Sequence, residues 1–152
     1  MWETLEVDEP TMPPLLGPRA RVLLVERDDQ LRSQISARLL RGGFDVYQAA
    51  SAAEALDVLA SLAEDGDVAD VVDLLVFDVS RGDRSAVAVV RALRATGCEL
   101  PVLFISAFSD REVSTSASEL SAFVLATPFS LDGLAETALE VIEGVRADDQ
   151  LS

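Results

Sequence analysis

The sequence predicts an α/β protein, a doubly wound (βα)5 sandwich with a five-stranded parallel sheet. Three observations predict it. Short apolar runs without polar alternation recur along the chain, as strands buried on both faces require. Segments with helical spacing of apolar residues separate them. The two patterns alternate strictly, which calls for a parallel sheet with helices on both faces and right-handed crossovers.

Residues 1–19 hold four prolines and little periodicity and read as a tail. The domain is expected over 20–146, with a second tail at 147–152. VLLV (22–25) is the first buried strand. Leu31, Ile35, Leu39 and Leu40 then fall at helical spacing, and Gly42-Gly43 supplies a stop. FDVYQA (44–49) alternates as a strand. Ser51 and Glu54 have the spacing of a capping box for a helix over 52–65, with Ala55, Leu56, Leu59 and Leu62 as its apolar face.

DLLVFDV (73–79) is the next buried strand, and SAVAVVRALRATG (85–97) a helix closed by glycine. PVLFISA (101–107) is a fourth strand. The segment after it, rich in Ser and Thr at 114–118, has weak helix propensity. FVLATPF (123–129) is a strand ended by proline. The helix over 131–146 places Leu134, Ala138, Val141, Ile142 and Val145 on one face.

Composition excludes much chemistry. The 152 residues carry a net charge of −15, and all twelve basic residues are arginine. Nucleic acid is not an expected partner, because phosphate binding needs clustered cations. Without histidine there is no Ser-His-Asp or Cys-His catalysis and no histidine-ligated metal. Without lysine there is no Schiff base and no GxxxxGK[ST] phosphate loop. The lone Cys98 precludes an internal disulfide and suits a reducing compartment. No apolar run approaches the roughly 18–20 residues of a membrane span, so a cytoplasmic protein is the expectation.

In a parallel sheet the functional crevice lies beyond the carboxyl ends of the strands. Those ends here are Glu26-Arg27-Asp28-Asp29, Asp78-Val79-Ser80, Ser106-Ala107 and Thr127-Pro128. The carboxylates suit a hard cation such as Mg²⁺, with Glu26 and Asp78 as candidate ligands, or a phosphoryl group on Asp78. Asp28 and Asp29 suit the cap of the first helix equally well.

At these residues the chain resembles the receiver domain of bacterial response regulators, of flavodoxin-like fold, over about residues 21–146. VLLVE-RDD resembles the family's acidic strand exit, LLVFD places Asp78 at its phosphoacceptor, and PVLFISA places Ser106 at its switch hydroxyl. ATPFSLDGL resembles its lysine-Pro-Phe segment. The resemblance implies a phosphorelay module with Mg²⁺ as cofactor and a histidine kinase or phosphotransfer protein as donor. It also implies contacts with another signalling protein, or a homodimer, through the fourth helix, fifth strand and fifth helix.

Several positions depart from the family. Arg27 stands where the metal-binding aspartate is expected, and Thr127 where the lysine is expected. Ser80-Arg81 replaces the usual Met-Pro, and Val124 replaces the switch aromatic, with Phe123 one place off and facing the other side. These departures lead to the expectation of a stand-alone pseudo-receiver in two-component signal transduction. It would act by protein–protein interaction, with Arg27 supplying positive charge to the acidic pocket and Mg²⁺-dependent phosphorylation impaired. The alternative is a phosphorylatable single-domain regulator in which Asp28 replaces the missing ligand. A scaffold that merely kept the fold is a further reading. A phosphatase-like enzyme with an aspartyl nucleophile is disfavoured, because Ser80 stands where its second aspartate belongs.

Overall fold

A computed structural model describes residues 19–64, 66–80, 84–107 and 110–151, with side chains described as far as residue 144. The tail at 1–18 and the RGD tripeptide at 81–83 lie outside the described residues, as does the side chain of Val145.

Five parallel strands form one sheet: β1 (Arg21–Val25), β2 (Asp45–Ala49), β3 (Leu74–Asp78), β4 (Val102–Ala107) and β5 (Phe123–Thr127). Their order is β2-β1-β3-β4-β5, so Asp78 ends the central strand. Between them run α1 (Asp29–Arg41), α2 (Ala52–Leu62), α3 (Ser85–Ala95) and α4 (Arg111–Glu119), and α5 (Leu131–Leu151) closes the chain. The long connection from α2 to β3 contains one 3₁₀ turn, Val68–Asp70.

The sheet divides two apolar cores. Ile35 and Leu39 of α1 and Leu134, Ala138, Val141 and Ile142 of α5 meet Val22, Leu24, Leu74 and Val76 on one face. Helices α2, α3 and α4 cover the other face, against Leu23, Leu75, Phe77 and Phe104. This explains the unbroken apolar runs: neighbouring residues of β1 and β3 point to opposite faces, and both faces are dry. Truncating a side chain such as Leu23 or Leu75, both fully buried, would cost about 2–5 kcal/mol.

Several expectations need correction. Leu40 and Leu56 are 47% and 48% exposed rather than part of the core. Each sits one residue, about 100° of helical rotation, from a buried neighbour, Leu39 or Ala55, and only one of each pair can face the sheet. Helix α2 stops at Leu62, and α5 continues through the segment expected to be a tail, as far as Leu151. Arg19, assigned to the N-terminal tail, is tied into the domain: its guanidinium donates to Asp45 Oδ1 at 2.9 Å and to the Phe44 carbonyl at 3.0 Å.

The Ser/Thr-rich segment forms the regular helix α4 despite its low propensity. Asp110 caps it, accepting the Val113 N–H at 3.1 Å, and Val113 and Ala117, one turn apart, are buried. Capping and an i, i+4 apolar pair supply what intrinsic preference lacks. The chain leaves α4 through Ser121, whose φ of 56° is left-handed, so that the Ala122 N–H can reach the Ala117 carbonyl at 2.8 Å. A residue with a Cβ is strained there, and glycine is not. Ser121→Gly is therefore expected to stabilise the protein by about 0.5–1 kcal/mol, read as a higher midpoint in urea denaturation, and Ser121→Val to lower it.

Candidate functional site

The rim beyond the strand ends is built from the exit of β1 outward. Glu26 follows Val25 and is 2% exposed. Its backbone N–H donates to Ala49 O at 3.0 Å, which fixes it beside the end of β2. Its carboxylate accepts the Asp28 N–H at 2.9 Å, and its carbonyl accepts Arg32 Nη1 at 2.8 Å. A buried carboxylate needs such donors, because desolvating an ion without them costs several kcal/mol or more. Arg32 also reaches Asp29 Oδ1 at 2.8 Å, so α1 and the β1 exit are held as one unit.

Asp28 takes the capping role: its Oδ1 accepts the Leu31 N–H at 3.0 Å. On the central strand, Asp78 is half-buried, and its Oδ1 accepts the Ser80 N–H at 2.7 Å, which turns the chain away from β3. The Val79 N–H donates to the Ile105 carbonyl at 2.8 Å, bringing the end of β4 beside it.

These elements border a small cleft of about 20 Å³ that is open to solvent, lined by Val25, Glu26, Arg27, Ala50, Ser51, Ala52, Phe77 and Asp78. Three predicted site residues, Glu26, Arg27 and Asp78, thus share one small space. Asp28, Ser80, Ser106, Thr127 and Val124 do not line it. Ser106 is 1% exposed, and its hydroxyl has no hydrogen-bond partner among the described residues. Thr127 is half-buried at the end of β5, joined to Pro128 by a cis bond. Val124 is 38% exposed and Phe123 47%.

Sequence reasoning missed the wall formed by Ala50, Ser51 and Ala52. The signal was available: β2 is also a strand of the parallel sheet, and its exit belongs on the same rim. Ser51 serves there as the cap of α2, accepting the Glu54 N–H at 3.1 Å, while Glu54 accepts the Ala50 N–H at 2.7 Å. That reciprocal pair is the predicted capping box, with Ala50 rather than the cap residue as the returned donor.

Mg²⁺ demands near-octahedral oxygen coordination and keeps several waters. Among the described residues no three Asp, Glu, His or Cys side chains stand together in a way that could hold a metal ion. Arg27, an exposed residue whose side chain is a donor-only cation that cannot ligate metal, is also among the lining residues. Two carboxylates, Glu26 and Asp78, and one cationic residue, Arg27, line the cleft.

Farther along the rim, Arg84 spans from the start of α3 to the start of α4. Its guanidinium lies 3.4 Å from Asp110 Oδ2 and 2.8 Å from Glu112 Oε1. The Val113 N–H, with the nearby Arg84 charge adding to it, holds the Asp110 carboxyl below its ordinary value of 3.8.

No protein-family model and no curated protein sequence matches the chain. Solved structures do. The chemotaxis protein CheY4 of Vibrio cholerae is 25% identical, with a TM-score of 0.66 over 81% of this chain and 98% of that one. The receiver domain of the Francisella response regulator 1452 is 20% identical, with a TM-score of 0.68 over 83% and 98%. A response-regulator receiver domain protein from Clostridium thermocellum is 18% identical, with a TM-score of 0.70 over 84% and 98%. The parallel five-stranded sheet with its five helices is the flavodoxin-like fold these proteins share.

A depressed carboxyl pKa contributes stability that is present above the unfolded value and lost as pH falls through the folded one. Asp110→Ala is accordingly expected to be less stable than the wild type at pH 7, with the gap closing as pH drops below 3.8. Parallel denaturation curves across that range would read this, and a gap that persists in strong acid would contradict it.

Proposed function

We propose that this chain, a CheY-like receiver domain, works in two-component signalling through protein–protein contacts, with Mg²⁺-dependent phosphorylation of Asp78 impaired. The observation that carries the reading is the cavity shared by Glu26, Arg27 and Asp78. A phosphoryl group adds about −1.5 to −2 charge. A phosphoacceptor carboxylate therefore needs cations beside it, and the resemblance assigns that task to a divalent metal and a lysine. Here the lysine position is Thr127, the chain has no lysine at all, and among the described residues no group of three or more Asp, Glu, His or Cys side chains stands ready for a metal.

Arg27 supplies charge without offering coordination. Two unit charges about 4 Å apart at an effective dielectric near 20 attract by roughly 4 kcal/mol before desolvation. A positive charge on Arg27 beside the cleft would offset part of its acidic charge without a metal. One fixed cation then stands beside two carboxylates in place of a metal ion that binds and leaves. In this reading the histidine kinase, phosphotransfer protein or other signalling protein of the pathway is a binding partner more than a phosphoryl donor. The Asp28 alternative is weakened because that carboxylate is already committed to the Leu31 N–H at the start of α1.

Intact-mass analysis after incubation with acetyl phosphate and Mg²⁺ tests the proposal. Wild type and Asp78→Ala are expected to remain unmodified, and Arg27→Asp to gain one phosphoryl group. Modification of the wild type that Asp78→Ala abolishes would overturn the impaired-phosphorylation reading. An unmodified Arg27→Asp would show that the arginine is not the obstacle.

A further inference from the structure

One flank of the molecule brings together an exposed leucine, a cationic helix and the point where the chain enters the domain. Strand β2 is an outer strand, paired with β1 alone among the described residues. Such edges are ordinarily blunted by charge, proline or a covering segment. On the side of the sheet that α1 packs against, Ser36 of that helix accepts a hydrogen bond from Gln48 Nε2 of β2 at 3.2 Å. Leu40 follows Ser36 by four residues, so it stands one turn further along the same flank of α1. It is 47% exposed. Val46 of β2 packs toward the core shared with α1 and is only half-buried. The helix is also cationic: it carries Arg32, Arg38 and Arg41 against one acid, Asp29, in a chain whose net charge is −15.

The chain enters the domain at this place. The Asp45 N–H donates to the Ala20 carbonyl at 2.8 Å, and Arg19 Nη2 donates to the carbonyls of Leu40 at 3.4 Å and Phe44 at 3.0 Å. Residue 19 is therefore fixed within side-chain reach of Leu40, and the residues before it start from there. They read PPLLGP over 13–18. A chain advances at most about 3.6 Å per residue, which keeps Leu16 and Leu15 within roughly 11 and 14 Å of Arg19. Pro13, Pro14 and Pro18 flank the two leucines, and each proline fixes its φ, so less entropy is lost on docking. Prolines lack an N–H, which disfavours pairing this stretch as a further strand and leaves side-chain contact as the means of attachment. Residues 1–18 also contain Glu3, Glu6, Asp8 and Glu9 and no Lys or Arg, a charge opposite to that of α1.

We infer that residues 1–18 dock on this flank, with Leu15 and Leu16 covering Leu40 and Val46 and the acidic stretch 3–9 meeting the arginines of α1. The tether at Arg19 makes the contact intramolecular, so a small apolar area suffices to hold it. The edge of the sheet beside α1 is then covered by the chain's own leading segment. Any other protein segment that reaches Leu40 must displace a group held at high local concentration. The inference goes beyond the signalling proposal and does not depend on it, because neither Asp78 nor the rim takes part.

Urea denaturation of the full chain tests it through a double-mutant cycle. Replacing a surface leucine changes stability little, so an uncovered Leu40 means that Leu40→Ser lowers the folded-to-unfolded ratio by about twofold or less. A covered Leu40 means a fall of about tenfold, which shrinks to about twofold in a chain that also carries Leu15→Ser and Leu16→Ser. The cycle cancels the lower helix propensity of serine, which is common to both backgrounds. Equal effects of Leu40→Ser in the two backgrounds overturn the inference. Trp2, the single tryptophan, reports on the acidic stretch. Its fluorescence anisotropy is expected to fall in Arg41→Glu, and an unchanged value would overturn the placement of that stretch. Sedimentation is expected to show a monomer. A concentration-dependent dimer that Leu40→Ser abolishes overturns the inference by making a second copy the occupant.

Discussion

All five strands of this sheet run in the same direction, and much of the molecule depends on that constraint. A parallel sheet buried on both faces has no room for charge along its strands, so the ionisable groups near its middle collect where the strands end. Glu26 and Asp78 occupy that boundary, the first almost wholly buried and the second half-buried. Each carboxylate accepts a backbone N–H from two residues onward, Asp28 for Glu26 and Ser80 for Asp78. The same contact turns the chain out of the sheet and solvates the charge. The local geometry that ends a strand is thereby also what fixes a reactive group on the rim.

The absence of lysine makes the electrostatics unusually legible. Among the described residues, arginines pair with carboxylates or backbone carbonyls at defined seams. Arg19 and Arg21 hold the starts of strands, Arg32 the β1 exit and Arg38 the α1–α5 seam. Arg84 joins the starts of α3 and α4, and Arg94 the α3–α4 end. Most are exposed or half-exposed, where one pair contributes only about 0–1 kcal/mol. Their value lies in position, since a planar fork of donors fixes two elements relative to one another. Arg27 differs because it lines the cavity that also holds Glu26 and Asp78.

The same economy of charge separates the two edges of the sheet. On β2, charge and an ion pair serve as protection, while on β5 neither is present. The acidic groups near β5 lie on the flanking helices instead. The opposite rim pocket and this edge are distinct parts of the molecule.

Element order and type, the dry centre of the sheet and the pairing of Ser51 with Glu54 were all determined by the sequence. These follow from periodicity and from hydrogen bonds spanning a few residues, which are local properties of the chain. The candidate residues on the rim were legible for the same reason, because a buried run must stop and its last charged residue marks where. Only the tertiary structure decided which of them meet. Strand order β2-β1-β3-β4-β5 sets the β2 exit beside the β1 exit, so Ala50, Ser51 and Ala52 line the cavity while Asp28 turns away to cap α1. Leu40 and Leu56 show the same limit. Helical spacing marks a stripe wider than the sheet can cover, and packing against neighbours determines which leucine remains in water. Convergence of distant strand ends is a non-local fact, and no local pattern in the chain encodes it.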